Sequence, residues 1–370
     1  MDYSGRLARL RARMQAEDLD AFFLTNLTNI RYLCGFTGSN AFLLVDKSGA
    51  WFLSDGRYAL QAAQQVAEAE VQICNTHAEV VSILSDRAKT LQCERIGFEG
   101  ASVTVGSRRP GWELPPGIDK LETYFEGIEL VPTGGWVEEL RKVKEPAEVL
   151  LMSEAAKMAD AGLAFTLSRA VVGQTERQIA LDLEFYLRSH GAEAVSFDPI
   201  VAAGMHSAFV HAEPSSKPVE RGEFLLLDLG CRYQGYCSDL SRTVVVGSAS
   251  ARHKEVYASV LAAQLAGLSA ARAGATCAGV DEAARSVLAD AGLADAFPHG
   301  LGHGVGLEIH EAPSLKKGFD ELLRPDNVIT IEPGAYIEGW GGVRIEDLIV
   351  IQEAGPSQIL SAAPKEFMEI

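Results

Sequence analysis

Residues 225–243, LLLDLGCRYQGYCSDLSRT, decide the fold of the second half of this chain. An apolar run that contains one carboxylate, Asp228, is followed by a turn at Gln234-Gly235 and by a second strand-like segment that carries Asp239. Two such runs joined by a turn that contains glycine predict a β hairpin. A carboxylate inside an apolar strand is costly to bury unless it is paired or binds a metal. The hairpin therefore indicates that Asp228 and Asp239 serve one chemical site.

Three further segments place acidic or imidazole side chains in similar surroundings. The segment HGLGHGVG, residues 299–306, carries two imidazoles; TIEPG, residues 330–334, ends a predicted strand at proline; and VRIED, residues 343–347, opens another strand. With the hairpin they supply four carboxylates and one imidazole, which we interpret as the ligands of one dinuclear metal site: Asp228, Asp239, His303, Glu332 and Glu346. Oxygen-rich ligation with one imidazole favours Mn²⁺, with Co²⁺ and Zn²⁺ as alternatives.

Composition limits the partners and the compartment of the protein. The chain has 370 residues, of which 47% are hydrophobic and 22% charged, as is typical of a globular protein with two domains. Its net charge of −17 argues against nucleic acid and anionic membranes as partners. It lacks an apolar run of about 18 residues and a signal-peptide core, so we expect a cytoplasmic protein. The six cysteines show no Cys-x-x-Cys spacing and are expected to be buried thiols.

The first part of the chain alternates predicted helices and strands, which indicates a small α/β domain over residues 1–134. Its predicted elements are a helix at 5–17, strands at 21–25, 41–45 and 50–54, a helix at 58–69, and strands at 71–73 and 96–98. Residues 135–370 are expected to form an α+β domain with its site in the concave face of a curved, mostly antiparallel sheet. Predicted helices outside this sheet span 146–170, 176 to near Gly191, 252–272 and 279–292.

The segments quoted above resemble the pita-bread metallopeptidases, which include methionine aminopeptidase, prolidase, aminopeptidase P and creatinase. Five patterns carry the match: Asp-Leu-Gly, Ser-Asp-x-x-Arg-Thr, Gly-His-Gly-x-Gly, Ile-Glu-Pro-Gly and Val-Arg-Ile-Glu-Asp. Residues 29–39 and 54–58 resemble the creatinase-type N-terminal domain of the proline-specific branch. The resemblance covers essentially the whole chain. It implies a homodimeric enzyme whose substrates are peptides with proline at the second position.

The resemblance also implies a role for each proposed ligand. Asp228 would bind one of two metal ions, Asp239 and Glu346 would bridge both, and His303 and Glu332 would complete the second. A hydroxide bridging the two ions would be the nucleophile, and Glu332 would take its proton.

Further residues would act on the substrate. By resemblance, His211 and His310 would hydrogen-bond it and steady the tetrahedral intermediate. His299 and Arg344 would line the proline side of the site, although Arg344 is equally expected as a structural partner of Glu346 or Asp347. The remaining members of the predicted substrate site lie in the N-terminal domain and would contact longer peptides: Asp55, Arg57 and Tyr58. The alternative for them is a local Asp55–Arg57 salt bridge, and His206 is assigned to loop structure.

Two departures from the family pattern matter, the first for the shape of the loop that carries His211 and the second for substrate length. Val210-His211 stands where the family often has Pro-His, and Ser314 follows His310-Glu311-Ala312-Pro313 where many prolidases have arginine. A basic group there can hold the free carboxylate of a dipeptide. Its replacement by serine favours an Xaa-Pro aminopeptidase over an Xaa-Pro dipeptidase. A metal-free binding protein and a creatine-hydrolysing enzyme are disfavoured, because all five proposed ligands are present.

Overall fold

The computed structural model describes residues 1–100, 121–170 and 172–370, which form two compact units, Met1–Arg141 and Lys142–Ile370. The strands of the first unit are β1 (Ala21–Leu24), β2 (Phe42–Asp46), β3 (Ala50–Ser54), β4 (Glu70–Ile73), β5 (Arg95–Glu99) and β6 (Glu129–Thr133). Its described helices are α1 (Tyr3–Ala16), α2 (Leu27–Cys34), α3 (Ala59–Gln65), α4 (His77–Thr90) and α5 (Trp136–Arg141). The strands form one mixed sheet of order β4-β3-β2-β1-β5-β6.

Strand β1 lies inside this sheet, and all of its residues are buried. It pairs antiparallel with β2 and parallel with β5. The predicted strands of this region are confirmed. The helix predicted at 58–69 is shorter, because a 3₁₀ turn occupies Gly56–Tyr58 and α3 ends at Gln65. Glu68 then adopts a φ of 58°, which turns the chain into β4.

The second unit contains four long helices: α6 (Pro146–Arg169), α7 (Glu176–Ser189), α8 (Ala251–Ala270) and α9 (Cys277–Asp290). Its strands up to the middle of the unit are β7 (Ala194–Val195), β8 (Ile200–Ala203), β9 (Phe224–Leu229), β10 (Cys231–Tyr233), β11 (Tyr236–Cys237) and β12 (Leu240–Val245). The later strands are β13 (Gly302–Gly304), β14 (Glu311–Leu315), β15 (Val328–Ile331), β16 (Gly334–Ile337), β17 (Gly341–Arg344), β18 (Asp347–Val350) and β19 (Gln358–Ile359). All pairings between these strands are antiparallel, which confirms the α+β prediction.

Alternation along β9 decides which side chains face the helices and which face the site. Leu225, Leu227 and Leu229 pack into one core with α6 and α7. Leu226 lies in a different cluster, with Tyr336. Because neighbouring side chains on a strand point to opposite faces, Asp228 shares the face of Leu226 and not that of the helix-covered leucines. The period-2 pattern of this strand therefore turns a single carboxylate away from the core.

Candidate metal centre

Two carboxylates enter the site from the β9–β12 pair. Asp228 lies in β9 and is the register partner of Ser241 in β12. Asp239 lies in the short link between β11 and β12, so it is held beside the pair by the hairpin that the sequence predicts. Both residues are largely buried, with 8% exposure for Asp228 and 5% for Asp239. Burial on this scale requires partners or a bound cation for both carboxylates.

Glu332 and Glu346 enter the site from a matched interruption of two paired strands. β15 pairs with β18, and β16 pairs with β17, but Glu332-Pro333 and Ile345-Glu346 belong to none of these strands. The prediction that Val343–Asp347 opens one strand is therefore wrong at its centre, since Glu346 lies in a break between two strands. Pro333 has no N–H with which to continue a ladder. The Glu346 amide instead donates to the Ser241 carbonyl at 3.1 Å, which joins the break to β12.

The five predicted ligands come together in the folded chain. One ligand atom from each of Asp239, His303 and Glu346 lies within 4.8 Å of the others. His303 Nε2 is 3.6 Å from Asp239 Oδ2 and 3.3 Å from Glu332 Oε1. Ser241 Oγ donates to Glu346 Oε2 at 2.8 Å, and Thr330 Oγ1 donates to Glu332 Oε1 at 3.1 Å. These two hydroxyls orient Glu346 and Glu332, and each contacts only one oxygen of its carboxylate.

Asp228 joins the group through Arg344. The Arg344 guanidinium donates to Asp228 Oδ2 at 2.5 Å, and both side chains are largely buried. Asp228 Oδ1 is also buried and accepts no hydrogen bond from the described part of the chain. A buried oxygen that lacks a donor is costly unless a cation binds it. This orphaned oxygen, together with three further carboxylates and an imidazole, fits divalent metal ions of the hard or intermediate class.

The electrostatics of the cluster agree with that fit. Burial raises the pKa of Asp239 well above its ordinary value, and the negative charges of Glu346 and Asp228 raise it further. Burial and the neighbouring carboxylates likewise raise the pKa of Glu346. Burial opposes ionisation of Glu332 as well, but the hydrogen bond and charge of His303 outweigh it and lower the pKa of Glu332 to about 2. A cation between these carboxylates would relieve their mutual repulsion, which fits a metal at this site.

A chain of hydrogen bonds links Arg344 to His299. Arg344 Nη1 donates to the Tyr336 hydroxyl at 2.6 Å, and that hydroxyl is 3.0 Å from His299 Nε2. His299 Nδ1 lies 2.8 Å from the Gly300 carbonyl, so Nδ1 carries the hydrogen and Nε2 accepts from Tyr336. Burial lowers the pKa of His299, which keeps this ring neutral. Arg344 therefore contacts Asp228 and Tyr336, and not the Glu346 or Asp347 carboxylates expected as alternatives.

His310 and His211 lie at the exposed side of the group. The His310 ring meets the His303 ring edge-on, with centroids 4.4 Å apart, and its side chain is exposed. Burial of part of the ring lowers the pKa of His310, the charges of His303 and His211 lower it further, and the Glu332 carboxylate opposes them. His211 is likewise exposed, and its charge also lowers the pKa of His299. His310 therefore lies beside His303, His211 lies close enough to His299 and His310 to lower their pKa, and both rings are open to a ligand.

The predicted residues of the N-terminal unit form a local structure. Asp55 accepts from the Arg57 backbone N–H and from its guanidinium, at 3.0 and 2.9 Å, and caps the 3₁₀ turn. The Tyr58 hydroxyl lies 2.5 Å from Ser39 Oγ. The guanidinium of Arg57 remains largely exposed. The alternative of a local salt bridge is thus present, and a role of these residues in substrate binding stays a prediction.

Several residues that organise the site were not predicted from the sequence. Tyr336, Ser241 and Thr330 each hydrogen-bond a predicted site residue. Ser241 and Thr330 lie within two residues of a predicted ligand in the quoted motifs, and this proximity in sequence could have indicated their role. Tyr336 carried no such signal, because its partner Arg344 lies across the β16–β17 pair.

Two other predictions concern the whole chain. All six cysteines are unpaired and buried, as predicted. In the described ranges, the helices are too short or too polar to cross a bilayer.

The chain is similar along nearly its whole length to known peptidases. The chain is 38% identical to the Bacillus subtilis protein "Uncharacterized peptidase YqhT", over 98% of this chain and 99% of that protein. It is similar to a solved Xaa-Pro dipeptidase from Bacillus anthracis, with a TM-score of 0.92, 36% identity and full coverage (100%) of both chains. A solved X-Pro aminopeptidase from Thermotoga maritima matches with a TM-score of 0.87 and 33% identity, over 97% of this chain and 100% of the other.

Sequence profiles give the same result for each part of the chain. The Creatinase/Prolidase N-terminal domain matches residues 6–143, and Metallopeptidase family M24 matches residues 151–353, which include all five clustered ligands. From this match and the similarity to known peptidases, the chain belongs to metallopeptidase family M24, a family of hydrolases that work with divalent metal ions.

Proposed function

We propose that this chain is an Xaa-Pro aminopeptidase that holds two divalent metal ions and removes the residue before a proline at the second position of a peptide. The observation that carries the proposal is the convergence of Asp239, His303 and Glu346 on one buried point, with the orphaned Asp228 Oδ1 in the same group of carboxylates. Mn²⁺ is the proposed ion, with Co²⁺ and Zn²⁺ as alternatives. A cytoplasmic location and a homodimer stay predictions.

The chemistry of the substrate explains why such a site is suited to proline. The bond before proline is a tertiary amide without an N–H, so an enzyme cannot hold it through that hydrogen. Divalent ions at the site would supply an activated water and polarise the scissile carbonyl. Asp228, Asp239, His303, Glu332 and Glu346 would hold them. The protein's remaining residues then need only orient the substrate and move a proton.

Glu332 is the proposed proton acceptor. Thr330 Oγ1 and His303 Nε2 both contact its Oε1, so one carboxylate oxygen is fixed and the other is available. A carboxylate positioned within reach of the activated water can take its proton. His211 and His310, which are exposed beside the buried carboxylates, would donate hydrogen bonds to the substrate carbonyl as charge develops on its oxygen.

Arg344 and His299 have a different part in this proposal. Both carry hydrogen bonds to the Tyr336 hydroxyl, and Arg344 also holds Asp228. Arg344 donates in addition to Ser241 Oγ at 2.9 Å and to the Val210 carbonyl at 3.2 Å. With its donors so engaged, Arg344 shapes the wall of the site and orients Asp228. His299 and Tyr336 would form the adjoining surface for the proline ring.

Strand register supports a preference for peptides longer than two residues. Ser314 in β14 is the register partner of His303 in β13, and side chains of directly opposed residues lie on the same face. A basic side chain at position 314 would therefore face the site, where it could hold the terminal carboxylate of a dipeptide. Serine supplies no such charge. Lys316, two residues further along the chain, does carry a positive charge, but its ammonium lies against the Phe319 ring, 4.5 Å from the ring centre.

The competing proposal is an Xaa-Pro dipeptidase. It is favoured by the name of the Bacillus anthracis protein, which is similar to this chain along its whole length. The two activities differ only in the part of the substrate that lies after proline, so the same ligands serve both.

A comparison of two peptides distinguishes these activities. We expect Mn²⁺-loaded enzyme to cleave Ala-Pro-Ala with a higher kcat/KM than Ala-Pro, and to leave Ala-Ala-Ala intact. A clear preference for Ala-Pro would instead establish the dipeptidase. Chelation should abolish cleavage, and Mn²⁺ or Co²⁺ should restore it. Full activity in protein shown to be metal-free by elemental analysis would refute both proposals.

A further inference from the structure

Glu176 is a fully buried carboxylate outside the group of proposed ligands. It is the first residue of α7, and its side chain has 0% exposure. The helix start does not need this side chain, because Thr175 and Gln178 cap it through a reciprocal pair of hydrogen bonds. Burial of a carboxylate is costly unless donors surround it, so its contacts indicate its role.

The carboxylate of Glu176 joins the two ends of one loop. Oε1 accepts from the Ala203 backbone N–H at 2.8 Å, and Ala203 is the last residue of β8. Oε2 accepts from the Ser215 backbone N–H at 3.0 Å and from its hydroxyl at 2.6 Å. His211 lies between these two anchor points in the chain. One carboxylate thereby closes the loop 204–214 at its base.

His206 adds a fourth donor from within the loop. Its Nδ1 lies 2.9 Å from Oε1 and 2.8 Å from Oε2 of Glu176. Because an ionised carboxylate can only accept, Nδ1 carries the hydrogen. His206 therefore has a defined contact, which the sequence did not reveal. Its ring also faces Phe209, with centroids 5.6 Å apart.

The middle of the loop is fixed to the strand that carries Arg344. Ser207 Oγ accepts from the Gly342 backbone N–H at 2.8 Å and donates to the Gly204 carbonyl at 2.6 Å. Arg344 donates to the carbonyl of Val210, the residue before His211. His211 itself is exposed, so packing of its own side chain does not hold it in place. Its position depends on the loop backbone.

We propose that Glu176 is a positioning residue that holds the loop 204–214, and with it His211, at the edge of the metal centre. This inference rests on the proposed role of His211 in catalysis. Glu176→Gln places an amide NH₂ against N–H and O–H donors, so at least one of the four hydrogen bonds is lost. The loop then loses an anchor, while every proposed metal ligand is unchanged.

Three readouts test the proposal. Glu176→Gln should lower kcat on Ala-Pro-Ala by about 10- to 100-fold, as expected for a misplaced catalytic group, with KM changed by less than about threefold. Metal content should stay at the wild-type value. Hydrogen exchange of peptides from 204–214 should rise, with other peptides of the second unit unaffected. Glu184→Gln changes a part-exposed carboxylate on the same helix that pairs with Arg188, outside the loop 204–214; it is the matched control and should behave as wild type.

A double-mutant cycle shows whether Glu176 acts through His211. In a His211→Ala background, Glu176→Gln should have no further effect on kcat. An equal loss in both backgrounds would overturn the proposal, as would unchanged exchange in the loop. If Glu176→Gln fails to fold, Ser215→Ala removes one of the four hydrogen bonds to Glu176, together with the bond from the Lys217 backbone N–H to the same hydroxyl, and should give the same pattern with a smaller amplitude. If His211→Ala alone retains full activity, the catalytic role of His211 fails, while the exchange measurement still decides whether Glu176 anchors the loop.

Discussion

Arg242 of the Ser-Asp-x-x-Arg-Thr pattern and Asp347 of the Val-Arg-Ile-Glu-Asp pattern form a buried ion pair. Its removal should lower the free energy of unfolding by a measurable amount. Arg242 and Asp347 are 1% and 0% exposed, and their side chains meet at 2.8 Å. Arg242 also donates to the backbone carbonyls of Ser241 and Glu346, which flank or belong to the metal centre. Gln264 and Lys365 are further partners of Asp347. We predict that Asp347→Asn destabilises the second unit through the loss of this counterion.

The size of the effect depends on burial and on the contacts that remain. Removing one partner of a buried ion pair typically costs about 3–5 kcal/mol, because the other charge is left uncompensated. Arg242 keeps its carbonyl acceptors, including those of Ala363 and Pro364, so the lower end of about 3 kcal/mol is expected. For a unit of this size that corresponds to a fall in Tm of roughly 6–12 °C.

Thermal unfolding of wild type, Asp347→Asn and the exposed control Glu353→Gln measures this effect. Metal-free protein should be used for all three, so that differences in metal affinity do not contribute to Tm. The double variant Arg242→Met/Asp347→Leu removes both charges but also the donor to four backbone carbonyls, so it should be no more stable than Asp347→Asn alone. A Tm for Asp347→Asn equal to that of the control would refute the reasoning.

Three further predictions concern individual residues. Asp239→Asn should reduce kcat more than His211→Ala, whose loss of a transition-state hydrogen bond is worth about 10²–10³; near-normal turnover of Asp239→Asn with both metals bound would contradict the bridging role. Ser314→Arg should raise kcat/KM for Ala-Pro relative to Ala-Pro-Ala by about tenfold, as a charge-assisted hydrogen bond would, whereas Ser314→Gln should not. Burial raises the pKa of Glu99 to about 7, so its contribution to stability is complete below its unfolded pKa and is lost as the pH rises through the folded pKa. Hydrogen exchange in residues 21–34 should therefore increase from pH 5 to pH 8 beyond the intrinsic change, and Glu99→Gln should flatten that increase.

Local patterns were sufficient to predict the elements that carry the site. The hairpin that holds Asp228 and Asp239, the strand before Glu332 and the long helices could all be predicted from short-range periodicity, caps and turns. The chain's five proposed ligands also lie in motifs that are visible in the sequence. Their grouping in one site was a hypothesis from these motifs, and the resemblance to a family added a role for each ligand.

Contacts between residues that are distant in sequence could not be predicted from local patterns. Arg344 could equally have paired with the adjacent Glu346 or Asp347, and only the β9–β12 and β16–β17 registers bring Asp228 within its reach. The buried position of Glu176 has the same cause, since its partners Ala203 and Ser215 lie far along the chain. Such contacts depend on tertiary structure, which propensity and periodicity do not encode.

The interruption between the β15–β18 pair and the β16–β17 pair explains how these strands present two carboxylates at one point. If the strand were uninterrupted, the side chains of Ile331 and Pro333 would point to the face opposite Glu332. Backbone hydrogen bonds to the partner strand would then fix the direction of the chain. Pro333 ends that ladder, and the partner strand breaks at the same level, at Ile345-Glu346. The Ile345 amide reaches the Pro333 carbonyl at 3.4 Å, while the Glu346 amide turns to Ser241. Because the Ile345 amide uses the Pro333 carbonyl, the two breaks are joined and the two glutamates are held together. A change that restores regular pairing at either break would therefore displace both carboxylates.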